Sequence, residues 1–399
     1  NDNAVSAWYG MSKAALTGGA SKRLFVVYNN NNGSGAGVSQ LLSRPTTIPE
    51  ADTVTIGPAM TAAHNYAADT CVVDGSSTPL APVVACTSHG ATQADMAISD
   101  VNATELYKLE TPSSGSLARL TTLTSTPLAL QGFGVAVNTN LYAALQDQNI
   151  ADGLLPGSCA GDPTAACQPS IKRADYASLV DKDGVIKTAA GLLPNVPSAI
   201  GQVLTLARGN DLSGMLAASN IFFADNPCGR DHDSKGKQIK GVVGGMLDIV
   251  ATTDSTADLV VQANATANDV VASLDASSGY AIGVLSLGAV SGTSDTWKFV
   301  KIDGISPNFN LDGSSDASQR NAFLSGDYPF AMTYYALTPV KPAKTSTVTG
   351  YTVIQTLMDG LNGTTPHDLT GIGYLNSTDA TKISRVHRTN GNNCSPLII

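Results

Sequence analysis

Three short stretches combine hydroxyl, glycine and charged residues in a way that suits anion chemistry. The first is Gly33-Ser34-Gly35-Ala36-Gly37, which follows four asparagines and precedes an apolar-patterned segment. Glycine lets a backbone approach a ligand closely. A helix N-terminus presents unpaired N–H groups and a partial positive charge. The second is Ser99-Asp100, at the end of the strand-like "ADMAIS" and before the helix-like "ATELYKLE". The third is "ARGNDLSGM", where Arg208 ends a strand-like run and Ser213-Gly214 opens a helix-like one. An arginine forks onto an oxyanion. A carboxylate repels a fully ionised anion but accepts the hydrogen of a protonated one, the distinction between hydrogen phosphate and sulfate. Each stretch also has a plainer reading: a turn at Gly33–Gly37, an N-cap at Ser99 or Ser213, a surface ion pair at Arg208.

The elements that must position these groups alternate along the chain. "RLFVVY" (23–28), "ADMAIS" (94–99), "LALQGFGVAVN" (128–138) and "GQVLTLAR" (201–208) read as strands. "VSQLLS" (38–43), "ATELYKLE" (103–110), "NLYAALQDQNI" (140–150) and "SGMLAASNIFF" (213–223) read as helices. That alternation predicts an α/β chain with parallel sheets and ligand-binding loops at strand C-terminal ends. Stretches 71–90, 152–170 and 337–350 lack regular pattern and read as two disulfide-closed loops and a surface connection.

With 399 residues the chain has material for two domains. A net charge of −9 argues against nucleic acid or an anionic membrane as partner, and no apolar run is long enough to span a bilayer. Only 14% of residues are charged against 43% hydrophobic, so the surface is Ala, Gly, Ser, Thr and Asn. The opening "NDNAVSAWYG" has no initiator Met and no basic–apolar leader, as expected of a mature secreted chain. Six cysteines without C-x-x-C spacing favour an oxidising compartment over zinc. Cys71–Cys86 and Cys159–Cys167 are close pairs, which leaves Cys228 for Cys394. "NFNLDGSSD" (308–316) approaches a calcium-loop spacing but lacks its first Asp and closing Glu, so it reads as a turn. "DHDSK" (231–235) reads as a solvated loop, and no metal or cofactor is expected.

Taken in order, these segments resemble the phosphate-binding type of periplasmic solute-binding proteins. "VVYNNNNGSGAGVSQLL" is similar to that family's first anion loop, "AISDVNA" to its Ser-Asp motif, and "ARGNDLSGM" to its Arg…Ser-Gly-Thr motif. "GFGVAVNTNLYAAL", "QPSIKRADYASLV", "AIGVLSL" and "WKFVKIDGISPNF…LSGDYPFAMTYYAL" follow collinearly, and "RTNGNNCSPL" resembles a secreted subgroup whose terminal Cys pairs with one after "NPC". The resemblance implies a two-domain, type II binding-protein fold with a hinge and an interdomain cleft. Residues 1–128 plus 330–399 would form one domain and 129–329 the other. It implies a non-enzymatic, periplasmic or extracellular receptor for phosphate, with a transporter permease as partner. Ser34, Gly35, Ala36, Ser213 and Gly214 would donate hydrogen bonds, Arg208 would supply charge, Asp100 would accept the ligand's proton, and Ser99 would belong to the same ligand-binding set. The chain departs from the pattern at Met215, where the family has a hydroxyl. Arg208 also sits five residues before Ser213, one more than in the pattern, and the earliest ligand loop, expected near residues 9–16, is shortened. Those departures favour a rival reading, an extracellular structural or filament-forming protein that reuses the fold. A secreted hydrolase is a third, with no nucleophile–base pair or metal cluster to recommend it.

Overall fold

The computed structural model describes residues 5–11, 23–29, 33–42, 54–55, 71–73, 84–86, 91–92, 96–107, 123–210, 212–225, 250–264, 267–289, 296–307, 326–339, 374–375, 387–388, 393–394 and 397–398. Strand β1 (Val5–Met11) pairs antiparallel with β2 (Arg23–Asn29), Val5 opposite Asn29. The "RLFVVY" strand therefore forms where expected, but its described partner is a hairpin neighbour and not a parallel sheet. Helix α1 spans Gly33–Leu42. The glycine-rich stretch is thus the first turns of the helix itself, not a loop before it.

Among the described residues the central sheet has eight strands. They include β3 (Ala97–Ser99), β4 (Leu123–Asn138), β5 (Leu204–Gly209), β6 (Leu259–Asn264) and β7 (Tyr280–Ser286). The rest are β8 (Trp297–Phe299), β9 (Ala331–Pro339) and β10 (Tyr374–Leu375). The order is β6-β5-β7-β4-β9-β3, with β8 and β10 also on β4. β5 pairs parallel with β6 and β7, while β4 pairs antiparallel with β7, β8, β9 and β10. The protein is therefore α/β with a mixed sheet, and the expectation of purely parallel sheets is corrected. The reason is β4. Its 16 residues turn into a helix only at Asn138, so it returns beside β9 in its first half and beside β7 in its second.

Helix α2 (Ala103–Tyr107) follows β3, and α3 (Thr139–Ala151) follows β4. α4 (Arg173–Val180) precedes β5, α5 (Gly214–Ala224) follows it, and α6 (Ala267–Ala276) joins β6 to β7. The β6–α6–β7 crossover is what makes parallel pairing on β5 available. β5 and β7 are buried on both faces, with Leu204, Leu206, Ala207, Ala281, Ile282 and Leu285 fully sequestered. This is why they read as continuous apolar runs. An aromatic cluster ties α5 to the sheet: Phe222 stacks on Phe330 at 4.4 Å, and Phe330 meets Phe133 at 5.4 Å.

Cys159 and Cys167 form a disulfide within 152–170. Cys394 is also disulfide-bonded, while Cys228 lies outside the described residues. Cys71 stands opposite Cys86 in a short antiparallel pairing of Cys71–Val73 with Val84–Cys86. The stretch 71–90 thus carries strand at both ends where none was expected. The stretches at 308–316 and 231–235 lie outside the described residues, as does most of 337–350.

Candidate functional site

β3 and β5 each end on a helix N-terminus, and α1 brings a third. Asn102 closes the α2 end: its side chain accepts from Thr104 N–H at 3.0 Å, and Glu105 accepts from Asn102 N–H at 2.8 Å. This reciprocal capping satisfies orphan donors locally. Ser213 is the N-cap of α5, its hydroxyl accepting from Leu216 N–H at 3.3 Å. The turn before it is held by Asn210, whose backbone N–H bonds Asn264 O at 2.8 Å and whose side chain accepts from Leu212 N–H at 3.0 Å.

These caps bring Ser34, Asp100 and Gly214 to one point. Ser34 Oγ donates to Asp100 Oδ2 at 3.0 Å, and Asp100 N–H donates back to Ser34 Oγ at 3.2 Å. A Cβ on Gly214 would lie 2.2 Å from that carboxylate oxygen and 2.3 Å from the Ser34 hydroxyl. Only a residue without a side chain lets the start of α5 sit there. Removal from water pushes the Asp100 carboxyl above its ordinary 3.8, with hydrogen bonding from Ser34 and Gln131 partly opposing it. Gln131, on β4, is buried and was not foreseen from sequence. An isolated Gln inside an apolar strand carried a signal, since burial of an amide needs partners.

Not all the expected donors face a ligand. The N–H of Gly35 bonds the carbonyl of Leu212 at 2.8 Å, so the α5 turn docks directly on the first turn of α1. A Cβ at Gly35 would come within 2.9 Å of Leu212 backbone atoms, so glycine permits that approach too. Ser99 is fully buried, and its hydroxyl donates to Val101 O at 2.6 Å, serving the turn. Ala36 is half-buried in α1.

Arg208 stands near the end of β5. Its Nη1 donates to Gly209 O at 3.2 Å, and its backbone carbonyl accepts from Asn264 Nδ2 at 3.1 Å. It lines a small cavity of about 20 Å³ together with Tyr176, Met215, Ser219 and Asn220. Met215 packs its side chain against the core from the position where the resemblance expected a hydroxyl.

No protein-family model matches the chain, and no curated protein does. Solved structures give loose overlaps. A phosphate binding protein from Stenotrophomonas maltophilia is 13% identical over 73% of this chain and 79% of that one, with a TM-score of 0.42. An ABC-type phosphate transport receptor from Vibrio cholerae is 11% identical over 70% and 79%, with a TM-score of 0.34. PstS from Borrelia burgdorferi is 10% identical over 71% and 79%, with a TM-score of 0.30. At these values the overlaps say nothing about the site. Among the described residues no helix is long and apolar enough to cross a membrane.

Proposed function

We propose that the chain is an exported solute-binding protein that takes a small oxyanion, phosphate first among them, where α1, β3 and α5 meet. One observation carries this reading. Two helix N-termini and a carboxyl group converge, with Ser34 on Asp100 and Gly214 packed against both. Helices α1 and α5 each direct positive partial charge to that point. Asp100 distinguishes a protonated anion from a fully ionised one. Arg208, at the end of β5, adds the compensating charge. The protein would act by binding and not by catalysis, with an ABC transporter permease as its partner. Its two lobes would be 1–128 with 330–399, and 129–329. β4 and β9, antiparallel neighbours from Leu123 to Gly132 and Ala331 to Pro339, would be the connecting strands.

Calorimetry with phosphate and sulfate tests the proposal. Wild type should prefer phosphate, and Arg208→Ala should weaken it roughly 30-fold or more, the cost of losing a charge-assisted contact in a desolvated site. Failure of wild type to bind either anion at millimolar concentration would sink the reading.

A second reading has its own observation. The Gly35 N–H is given to Leu212 O, and the Ser34 hydroxyl to Asp100, so donors that would serve an anion serve the fold. That suits an extracellular structural protein, assembling with copies of itself, in which the anion cradle has become a packing joint. Such a protein would bind no anion in the same titration and would self-associate in light scattering.

A further inference from the structure

β6 lies at the edge of the central sheet among the described residues, and its last residue, Asn264, reaches across to β5. The side chain is buried and both ends of its amide are in use. Nδ2 donates to Arg208 O at 3.1 Å and to Gln262 O at 3.0 Å. Oδ1 accepts from the Ser273 hydroxyl, on α6, at 2.8 Å. The backbone carbonyl of Asn264 accepts from Asn210 N–H at 2.8 Å. One residue therefore pins β5 on both sides of Gly209, at the Arg208 carbonyl and at the Asn210 N–H.

The pinned corner has little slack. A Cβ on Gly209 would lie 2.5 Å from the Ser213 hydroxyl and 2.6 Å from the Ser213 Cβ, so the strand end is packed directly under the cap of α5. The Arg208 guanidinium rests on the same dipeptide, with Nη1 donating to Gly209 O at 3.2 Å. A shift of this peptide carries the guanidinium with it. The residue type at 264 follows from the partners. Two carbonyl oxygens face it and need a donor, which an aspartate could not supply. Ser273 fixes which end of the amide faces β5, because a hydroxyl donating to Oδ1 leaves Nδ2 for the carbonyls.

We propose that Asn264 is the positioning residue for Arg208, fixing through the Arg208 carbonyl and the Asn210 N–H the strand end from which the guanidinium meets an oxyanion. This rests on the oxyanion reading above and adds to it a residue that acts through Arg208 and not on the ligand itself. Ser273 supports it from α6.

The test is a double-mutant cycle on the full chain, with inorganic phosphate titrated by calorimetry into wild type, Asn264→Ala, Arg208→Ala and the double variant. Asn264→Ala should weaken phosphate about tenfold when Arg208 is present and less than about twofold when it is absent, as residues of one hydrogen-bond network couple. A merely structural role behaves differently: it lowers the melting temperature and cuts affinity by the same factor in both backgrounds. Equal losses in the two backgrounds, or no loss in either, overturn the assignment and leave the oxyanion reading standing. If wild type binds no phosphate at millimolar concentration, the oxyanion reading fails and the assignment with it. Should Asn264→Ala not fold, Ser273→Ala takes its place in the cycle. The expected loss is then about threefold with Arg208 present and none without it, and equal losses or no loss overturn the assignment.

Discussion

Asp100 is the residue on which opposing effects meet most closely. Its carboxyl receives the Ser34 hydroxyl at 3.0 Å, yet desolvation outweighs that bond and its proton is held to higher pH than in the unfolded chain. The sign of the consequence follows from linkage. Between the ordinary value of 3.8 and the raised native one, the native state binds more protons than the unfolded chain, so stability falls as pH rises through that window. Asp100→Asn keeps an oxygen for Ser34 and removes the titration. The variant should melt higher than wild type at pH 7, and the gain should vanish as pH falls well below the ordinary value of 3.8, where the folded and unfolded carboxyls are both neutral. Melting curves across that range check it, and a gain independent of pH would show that the carboxyl's charge is not the cause.

At the scale of elements, the joint between α1 and α5 decides the site's form. Gly214→Ala places a methyl into the Ser34–Asp100 pair, 2.2 Å from a carboxylate oxygen. The expected loss is about 1–3 kcal/mol, typical of overpacking, read as a lower urea midpoint at unchanged slope. How much of this joint was legible in the sequence differs by group. The strand-to-helix junctions at Ser99-Asp100 and Arg208…Ser213 were, because capping residues and apolar period mark them locally. The helix in "GSGAGVSQLL" was misjudged at its start, since glycine argues for a loop and tertiary docking on Leu212 overrode it. The antiparallel returns of β4 were not legible either. Nothing local in "LALQGFGVAVN" says that a long strand serves two sets of neighbours, because pairing partners lie more than a hundred residues away. Gln131 and Asn220 carried only the faint signal of an amide in an apolar run, and only the packed structure shows that Gln131 reaches Asp100.

At the scale of the whole molecule, distant parts of the chain close on one another. The disulfide between Cys159 and Cys167 is local, spanning a separation of eight, and opening it should cost about 2–3 kcal/mol by loop-entropy reasoning, measurable as a shift in chemical denaturation of the Cys159→Ala, Cys167→Ala double variant. Asn393 acts over a far longer span. Its Nδ2 donates to Glu105 Oε2 at 2.9 Å and its Oδ1 accepts from Thr333 N–H at 2.6 Å, so this buried residue clamps α2 to β9. Glu105 is the same carboxylate that caps α2 through Asn102. A ribosome releases Glu105 long before Asn393, and at ordinary elongation rates of about 5–20 residues per second the interval is tens of seconds. Throughout that interval the early strands and α2 exist without their clamp, with Glu105 half served. This corner is therefore completed long after the elements it joins have been synthesised, and the nascent chain carries it open until Asn393 is in place.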